Sequence, residues 1–265
     1  MEFKANEGKN VEICVGGETY LRHAIRTRFI SDKDNYIDVI REYVSGIYEE
    51  GDILSVSEKI ISICQNRIVR REDIRVGGWA RFLSRFACRE NRGGYGVGMA
   101  INMQYAIDRV GLWKVLLASL AGGFAKLFGI RGVFYRIVGR EVSGLDGFYD
   151  GAWKEYRDIG IEIPANSRLV CNEIRNKLGI SVMIVDANDL GQVILGKSDD
   201  IGIEDRVLQQ MIRDNPAGQS RQRTPLILIR KQSRGPSVPS ARGSSPCRRE
   251  PATGRRTSEL QHIFS

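Results

Sequence analysis

The chain has 265 residues, 42% hydrophobic and 27% charged, with a formal net charge of +8 at neutral pH. This is the balance of a globular chain able to bury a substantial core, as one large or two small domains. Its two histidines, His23 and His262, and five scattered cysteines without a CxxC pair argue against a zinc site, a disulfide framework and a Cys/His or Ser/His nucleophile, which makes the cytosol the default.

The charge is unevenly spread. Residues 231–265 hold seven basic against two acidic residues, a balance of +5, which leaves +3 for the other 230 residues. The body is therefore not strongly basic, and a nucleic-acid reading rests on the tail alone. No apolar run follows Met1, as a secretory signal would require.

Residues 11–15 (VEICV) read as a first strand. Residues 25–30 (IRTRFI) alternate apolar and polar side chains and run into Ser31-Asp32-Lys33-Asp34-Asn35, a turn or helix cap. Tyr36, Ile40, Tyr43, Val44 and Ile47 recur at helical spacing and predict a helix ended by Glu49-Glu50-Gly51. Residues 52–56 (DILSV) predict a strand, and Ser57 is a candidate N-cap for the segment IISIC beyond it. Lys59 would then lie in a first helical turn. A cation is unfavourable beside the positive end of the dipole unless an anion binds there; a solvated lysine is the plain alternative.

Residues 70–75 form a charged turn. Trp79, Phe82, Leu83 and Phe86 then fit one helical face, with Arg81, Arg85 and Arg89 mostly elsewhere. The run GGYGVG at 93–98 has no strand before it, so it reads as a loop rather than a dinucleotide fingerprint. Residues 99–110 predict a helix closed by Gly111, and residues 112–128 a second one. The second is shorter than the roughly 20 residues of a membrane span, and Lys114 and Lys126 interrupt it. A buried or dimer-facing helix is expected; a membrane-surface helix is the alternative, since lysines flank a Trp/Phe/Leu face.

Residues 133–138 (VFYRIV) predict a strand, and 143–151 (SGLDGFYDG) a glycine-flanked acidic loop that could approach a ligand closely. Pro164 precedes a helix with Leu169, Val170, Ile174 and Leu178 on one face and Gly179 as its stop. Residues 181–196 (SVMIVDANDLGQVILG) read as a buried strand, an acidic turn and a second strand. Asp186, Asn188 and Asp189 at the end of a buried strand are costly to gather without a cation, which points to a metal and a phosphate. A helix marked by Ile203, Val207, Leu208, Met211 and Ile212, a polar turn at 214–224 and a last strand at 225–229 follow. The Ser/Pro/Gly/Arg-rich tail beyond residue 231 cannot form a core and is expected to be disordered.

Four blocks in this order resemble the coenzyme F420-0:gamma-glutamyl ligase family: IRTRFISDKDN, GDILSVSEKIISICQNRIV, IRNKLGISVMIVDANDLG and TPLILIR, together spanning about residues 24–230. Strand–helix alternation alone would permit a parallel α/β sheet. The resemblance implies instead an α+β fold of mixed sheets with packed helices, built as an intertwined homodimer. It makes 1–230 the ligase-like region, with an expanded segment at about 93–139, and 231–265 an appendage.

The family attaches L-glutamate to a deazaflavin precursor through a gamma-linked amide, using GTP and a divalent metal, Mg²⁺ or Mn²⁺, with K⁺ a further candidate ion. Carried across, the resemblance makes Asp146 and Asp186 the metal aspartates and catalytic residues, and Lys59 the nucleotide-phosphate lysine. Backbone around Thr27 and Ile30, Ser57 and Glu58, and Gly218, Gln219 and Ser220 would complete the nucleotide pocket. Asp189 is an additional metal candidate. Gly147, Phe148 and Tyr149 follow the first aspartate where the family has small residues. The expected partners are a small carboxylate and an amino acid, without a membrane span and without nucleic acid, in the cytoplasm. A ligase for an unrelated substrate and a non-catalytic nucleotide- or metal-binding module stand as alternatives.

Overall fold

The computed structural model describes residues 1–87, 90–91, 94–148, 158–188, 191–218 and 222–232. In chain order, β1 (Glu12–Val15) and β2 (Glu18–Ile25) form a hairpin. Its two loop residues, Gly16 and Gly17, both have positive φ (62° and 85°), the backbone that a tight twisted hairpin turn demands and that glycine adopts without strain. Then come α1 (Tyr36–Val44), β3 (Ile53–Ser57) and α2 (Glu58–Cys64). Asn35 starts α1, its Oδ1 accepting from the Ile37 amide at 2.8 Å.

The chain continues through β4 (Ile68–Arg70), α3 (Gly78–Ser84), β5 (Glu90–Asn91) and β6 (Gly94–Tyr95). Helices α4 (Ala100–Val110), α5 (Leu112–Leu127), α6 (Val133–Val138) and α7 (Arg140–Ser143) follow, then β7 (Asp146–Gly147) and β8 (Ile159–Ile161). Last are α8 (Ser167–Leu178), β9 (Val182–Asn188), β10 (Gly191–Lys197), α9 (Asp205–Met211) and β11 (Leu226–Lys231). The class is α+β, as the resemblance implies. Two compact units divide the described residues: Met1–Asn66 with residues 164–232, and Arg67–Ile163 between them in sequence.

The first unit is a mixed sheet in the order β1-β2-β11-β3-β9-β10, in which β3 and β9 pair in parallel and the other neighbours antiparallel. Period-two alternation gives each central strand two apolar faces. Leu54, Val56, Val182, Ile184, Leu226 and Leu228 point to one side, under α1, α2 and α8. Ile53, Met183, Val185, Ile227 and Ile229 point to the other, against α9 and the side chains of β1. Fully burying each such side chain stabilises the fold by about 1.5–3 kcal/mol.

Helix α8 can approach β10 because the contact residue is Gly196. A Cβ there would stand 2.6 Å from the Arg168 amide nitrogen and 2.9 Å from the Ser167 Cβ. A bulge between Ile194 and Gly196 adjusts the register at the same point. Two partly buried ion pairs bind the unit further. Arg22 grips both carboxylate oxygens of Asp214, and Arg230 grips those of Asp52 at 2.8 and 2.7 Å.

The second unit pairs β4, β8 and β7 antiparallel and packs α3, α4, α5, α6 and α7 around Ala80, Leu83, Met103, Ala106, Val115, Ala118, Val138 and Val142. Buried Glu162 is held there by Arg67 at 3.0 Å, by Arg109, and by the Tyr105 hydroxyl, which donates at 2.9 Å.

Several local expectations need correction. Residues 133–138 form helix α6, not a strand. Gly132 and Gly139 (φ 81° and 95°) bracket it, and packing of Phe134 on α5 overrides the strand propensity of its valines and aromatics. The first alternating stretch is strand only to Ile25. Leu169 is exposed, and Cys171 takes its place beside Val170 and Ile174 on the buried face of α8. Cys14 is disulfide-bonded, which the scattered cysteines do not announce, whereas Cys64 and Cys171 are free. Among the described residues, no helix is long and apolar enough to cross a membrane.

Candidate functional site

The registers gather four chain segments at one end of the first unit's sheet. Ile25, where β2 stops, pairs with Leu226, where β11 starts; Leu226 also pairs with Val56, near the end of β3. Ser57, the last residue of β3, pairs with Val185 in parallel β9, and β9 turns into β10 just beyond Asn188. The loop after β2, the β3–α2 junction, the approach to β11 and the β9–β10 turn therefore share one edge. In open sheets with parallel strands, ligands bind in the crevice outside the carboxyl ends of those strands. Here those ends are Ser57 and Asn188.

Backbone bonds fasten the segments to one another. The Thr27 amide donates to Arg223 O at 2.9 Å, and the Ser57 amide to Pro225 O at 2.9 Å. Gly218, with φ 71°, donates its amide to Asn215 O at 3.0 Å. Asn6 Nδ2 donates to Thr224 Oγ1 at 2.7 Å, and that hydroxyl donates to Ala217 O at 2.9 Å.

The loop after β2 is anchored from below. Ile30 is buried with Val39 of α1 and Ile60 of α2, so it presents backbone rather than side chain to the edge. Asp34 closes the loop, accepting from Arg28 at 2.7 Å and from the Ser31 amide at 2.7 Å. The Arg28 hydrogen bond, aided by Ser31 and outweighing burial, holds the Asp34 carboxyl down at about 2. Arg28 is thus a second cation carried at this edge, beside Lys59. Only its place in the resembling block IRTRFISDKDN marks it in the sequence.

Lys59 is exposed in the first turn of α2. Ser57 occupies the N-cap position, as expected, but its side chain makes no capping bond. Asp186 is not in a turn: β9 continues through it, and it pairs with Val193. Alternation puts Asp186 on the side of Val182 and Ile184, which is the side covered by Ile61 of α2. Lys59 and Asp186 therefore share both an end and a face of the sheet, as does Glu58 in the first turn of α2, whereas alternation turns Ser57, like its partner Val185, to the opposite face.

Asp146 belongs to the second unit, half-buried in β7 opposite Ile161 of β8. Asp189, Gln219 and Ser220 lie outside the described residues, as does the tail from residue 233. Among the described residues, no three His, Cys, Asp or Glu side chains form a metal-holding group. Magnesium does not need one: it is commonly held by one or two carboxylates together with substrate phosphates. Asp186 offers one such carboxylate, half-buried at the sheet end that also carries Lys59 and the start of α2. Burial pushes the Cys64 and Cys171 thiols up to about 12, which leaves neither as a thiolate nucleophile at neutral pH.

This edge thus brings together oxygen donors, cations and closely tied backbone at the ends of the parallel strands. Residues 24–111 match the family model described as F420-0:Gamma-glutamyl ligase, so the resemblance read in the sequence is borne out over that stretch. The matched residues include Thr27, Ile30, Ser57, Glu58 and Lys59, and end before Asp146 and Asp186. No curated protein matches the chain.

Proposed function

We propose that the chain is a metal- and GTP-dependent amide ligase that joins L-glutamate, or a similar amine, to a small carboxylate, acting in coenzyme F420 biosynthesis. The observation that carries the reading is the sharing of one sheet end by Lys59, Asp186 and the loop of Thr27 and Ile30, two of those segments lying within the matched stretch. In the reaction, a carboxylate oxygen of the acceptor attacks the γ-phosphorus of GTP and GDP leaves. The amine nitrogen then attacks the acyl phosphate carbon, phosphate departs, and the nitrogen gives up a proton to solvent.

Lys59 would place its ammonium against the phosphates, and the amides near Thr27, Ile30, Ser57, Glu58 and Gly218 would orient them, with Gln219 and Ser220 completing the pocket. Asp186, with Asp189 as a further proposed ligand, would hold Mg²⁺ or Mn²⁺, and the family resemblance alone carries Asp146 over as a metal aspartate; K⁺ is a further candidate. When bound, the divalent ion supplies charge neutralisation on the transferring phosphoryl group. The family's homodimer and a cytoplasmic setting are carried over on the same reading.

The test is GTP consumption by purified protein with glutamate and a panel of carboxylates, with the amide product identified by mass. Turnover should require Mg²⁺ or Mn²⁺, and Lys59→Ala and Asp186→Asn should each lower it by roughly a hundredfold or more, the scale for losing a charge aimed at the transition state. Full activity in Asp186→Asn would sink the assignment. Glutamylated deazaflavin in cell extracts would fix the acceptor. A second reading, a nucleotide-binding module without turnover, is favoured by one observation: the match stops short of both aspartates. Tight GTP binding with no product across the panel would select it.

A further inference from the structure

Helix α5 is built inside out. Its inward residues are short, with Val115 and Ala118 buried, and Gly122 lets Phe134 of α6 come within 3.3 Å of where a Cβ would stand. Leu116 packs partly buried on the same core, but most of the helix's large apolar residues face solvent instead. Trp113, Leu117, Leu120, Phe124 and Leu127 are all exposed, with Trp113 at 83%, Leu120 at 72% and Leu127 at 81%, and Phe128 follows just past the helix end. At about 100° per residue these side chains cover an arc of roughly 100°, the width of face that a soluble helix ordinarily buries.

Charge selects what covers this face. From residue 109 to residue 140 the chain has no Asp or Glu, while Lys114, Lys126, Arg131 and Arg136 are all exposed along α5 and α6. A second copy laid face to face would bring cations against cations with no acid on this stretch to pair them. Residues 231–265, with their balance of +5, are repelled for the same reason. An anionic lipid surface satisfies both features, because aromatic and aliphatic side chains enter the boundary below the headgroups while flanking cations meet the phosphates. Helix α3 repeats the composition within the same unit: Trp79, Phe82 and Phe86 are exposed, Arg75, Arg81 and Arg85 accompany them, and no acid occurs from residue 74 to residue 87.

We propose that α5 lies flat on an anionic membrane surface and makes the protein a peripheral membrane binder. The inference is independent of the ligase reading. Its test is flotation of the full chain with phosphatidylcholine vesicles, prepared with and without phosphatidylserine. Binding should require phosphatidylserine, shift tryptophan emission to the blue and weaken as salt is raised. Leu120→Glu with Phe124→Glu should abolish it. Lys114→Glu with Lys126→Glu, on two exposed positions, should weaken it by roughly tenfold or more.

Equal binding to neutral vesicles, or full binding by the charge-reversed variant, would overturn the proposal. So would a dimer in light scattering that Leu120→Glu splits, without vesicle binding, since the face would then belong to a second copy. Retention on RNA that the same substitutions abolish, again without flotation, would assign it to nucleic acid and overturn the proposal equally.

Discussion

The sheet of the first unit and helix α5 of the second use apolar side chains in opposite ways. In β3, β9 and β11 successive residues alternate between two covered faces, so nearly continuous apolar runs end up wholly buried. In α5 the apolar run is just as dense, yet most of its large members are outside and its buried ones are short. Hydrophobicity thus marks a surface that leaves water; it does not say whether the cover comes from the same chain. The alternation of a strand constrains both faces, whereas a helix that is apolar nearly all round leaves open which stripe turns inward.

The largest test of that contrast is Leu54→Ala in β3. Loss of its buried side chain should cost about 2–5 kcal/mol in urea unfolding, with cavity and transfer terms adding. A loss below about 1 kcal/mol would mean that the face under α1, α2 and α8 is loosely packed. Gly196→Ala should cost about 1–3 kcal/mol, because the new methyl meets backbone of α8 rather than a yielding side-chain tip. An unchanged unfolding midpoint would show that α8 can shift without loss.

A smaller effect concerns acid. Asp34 is held at about 2, chiefly by Arg28, below its ordinary value of 3.8. A depressed carboxyl contributes stability that is fully present above its unfolded value and is lost as the pH falls through its folded one. Hydrogen exchange in residues 26–35 should therefore quicken between about pH 4 and pH 2, and Asp34→Asn should remove that dependence. The smallest effect closes the contrast: Leu120→Ala should change stability by no more than about 0.5 kcal/mol, since the side chain is largely exposed. A loss as large as that of Leu54→Ala would place α5 in a core after all.

These differences track what could be read from residues alone. Asn35 before Tyr36, Gly111 after Val110 and Gly179 after Leu178 announce helix ends through local chemistry, and the structure has boundaries at each. The apolar run 182–185 announced β9, but Asp186 looked like a breaker. Pairing with Val193 carries the strand past it, a nonlocal bond invisible in one segment. Residues 133–138 failed for the same reason: their helix depends on a glycine in the preceding helix, Gly122. Lys59 and Asp186 were each legible as odd placements of charge. That they share an end and a face follows only from the parallel pairing of β3 with β9.

One small clasp bears on how that pairing is reached at all. Gln65 Nε2 donates to Ala165 O at 3.1 Å, and the Ala165 amide donates back to Gln65 Oε1 at 2.8 Å. Arg67 and Ile163 are tied by a similar bond at 2.6 Å. The long excursion between β3 and β9 thus leaves and returns at a pinched stem. The entropy of closing such an excursion grows only logarithmically with its length, so the stem admits insertions of very different size at one junction. Whatever chain occupies that junction can be exchanged or enlarged while the register of Ser57 with Val185 stays where it is.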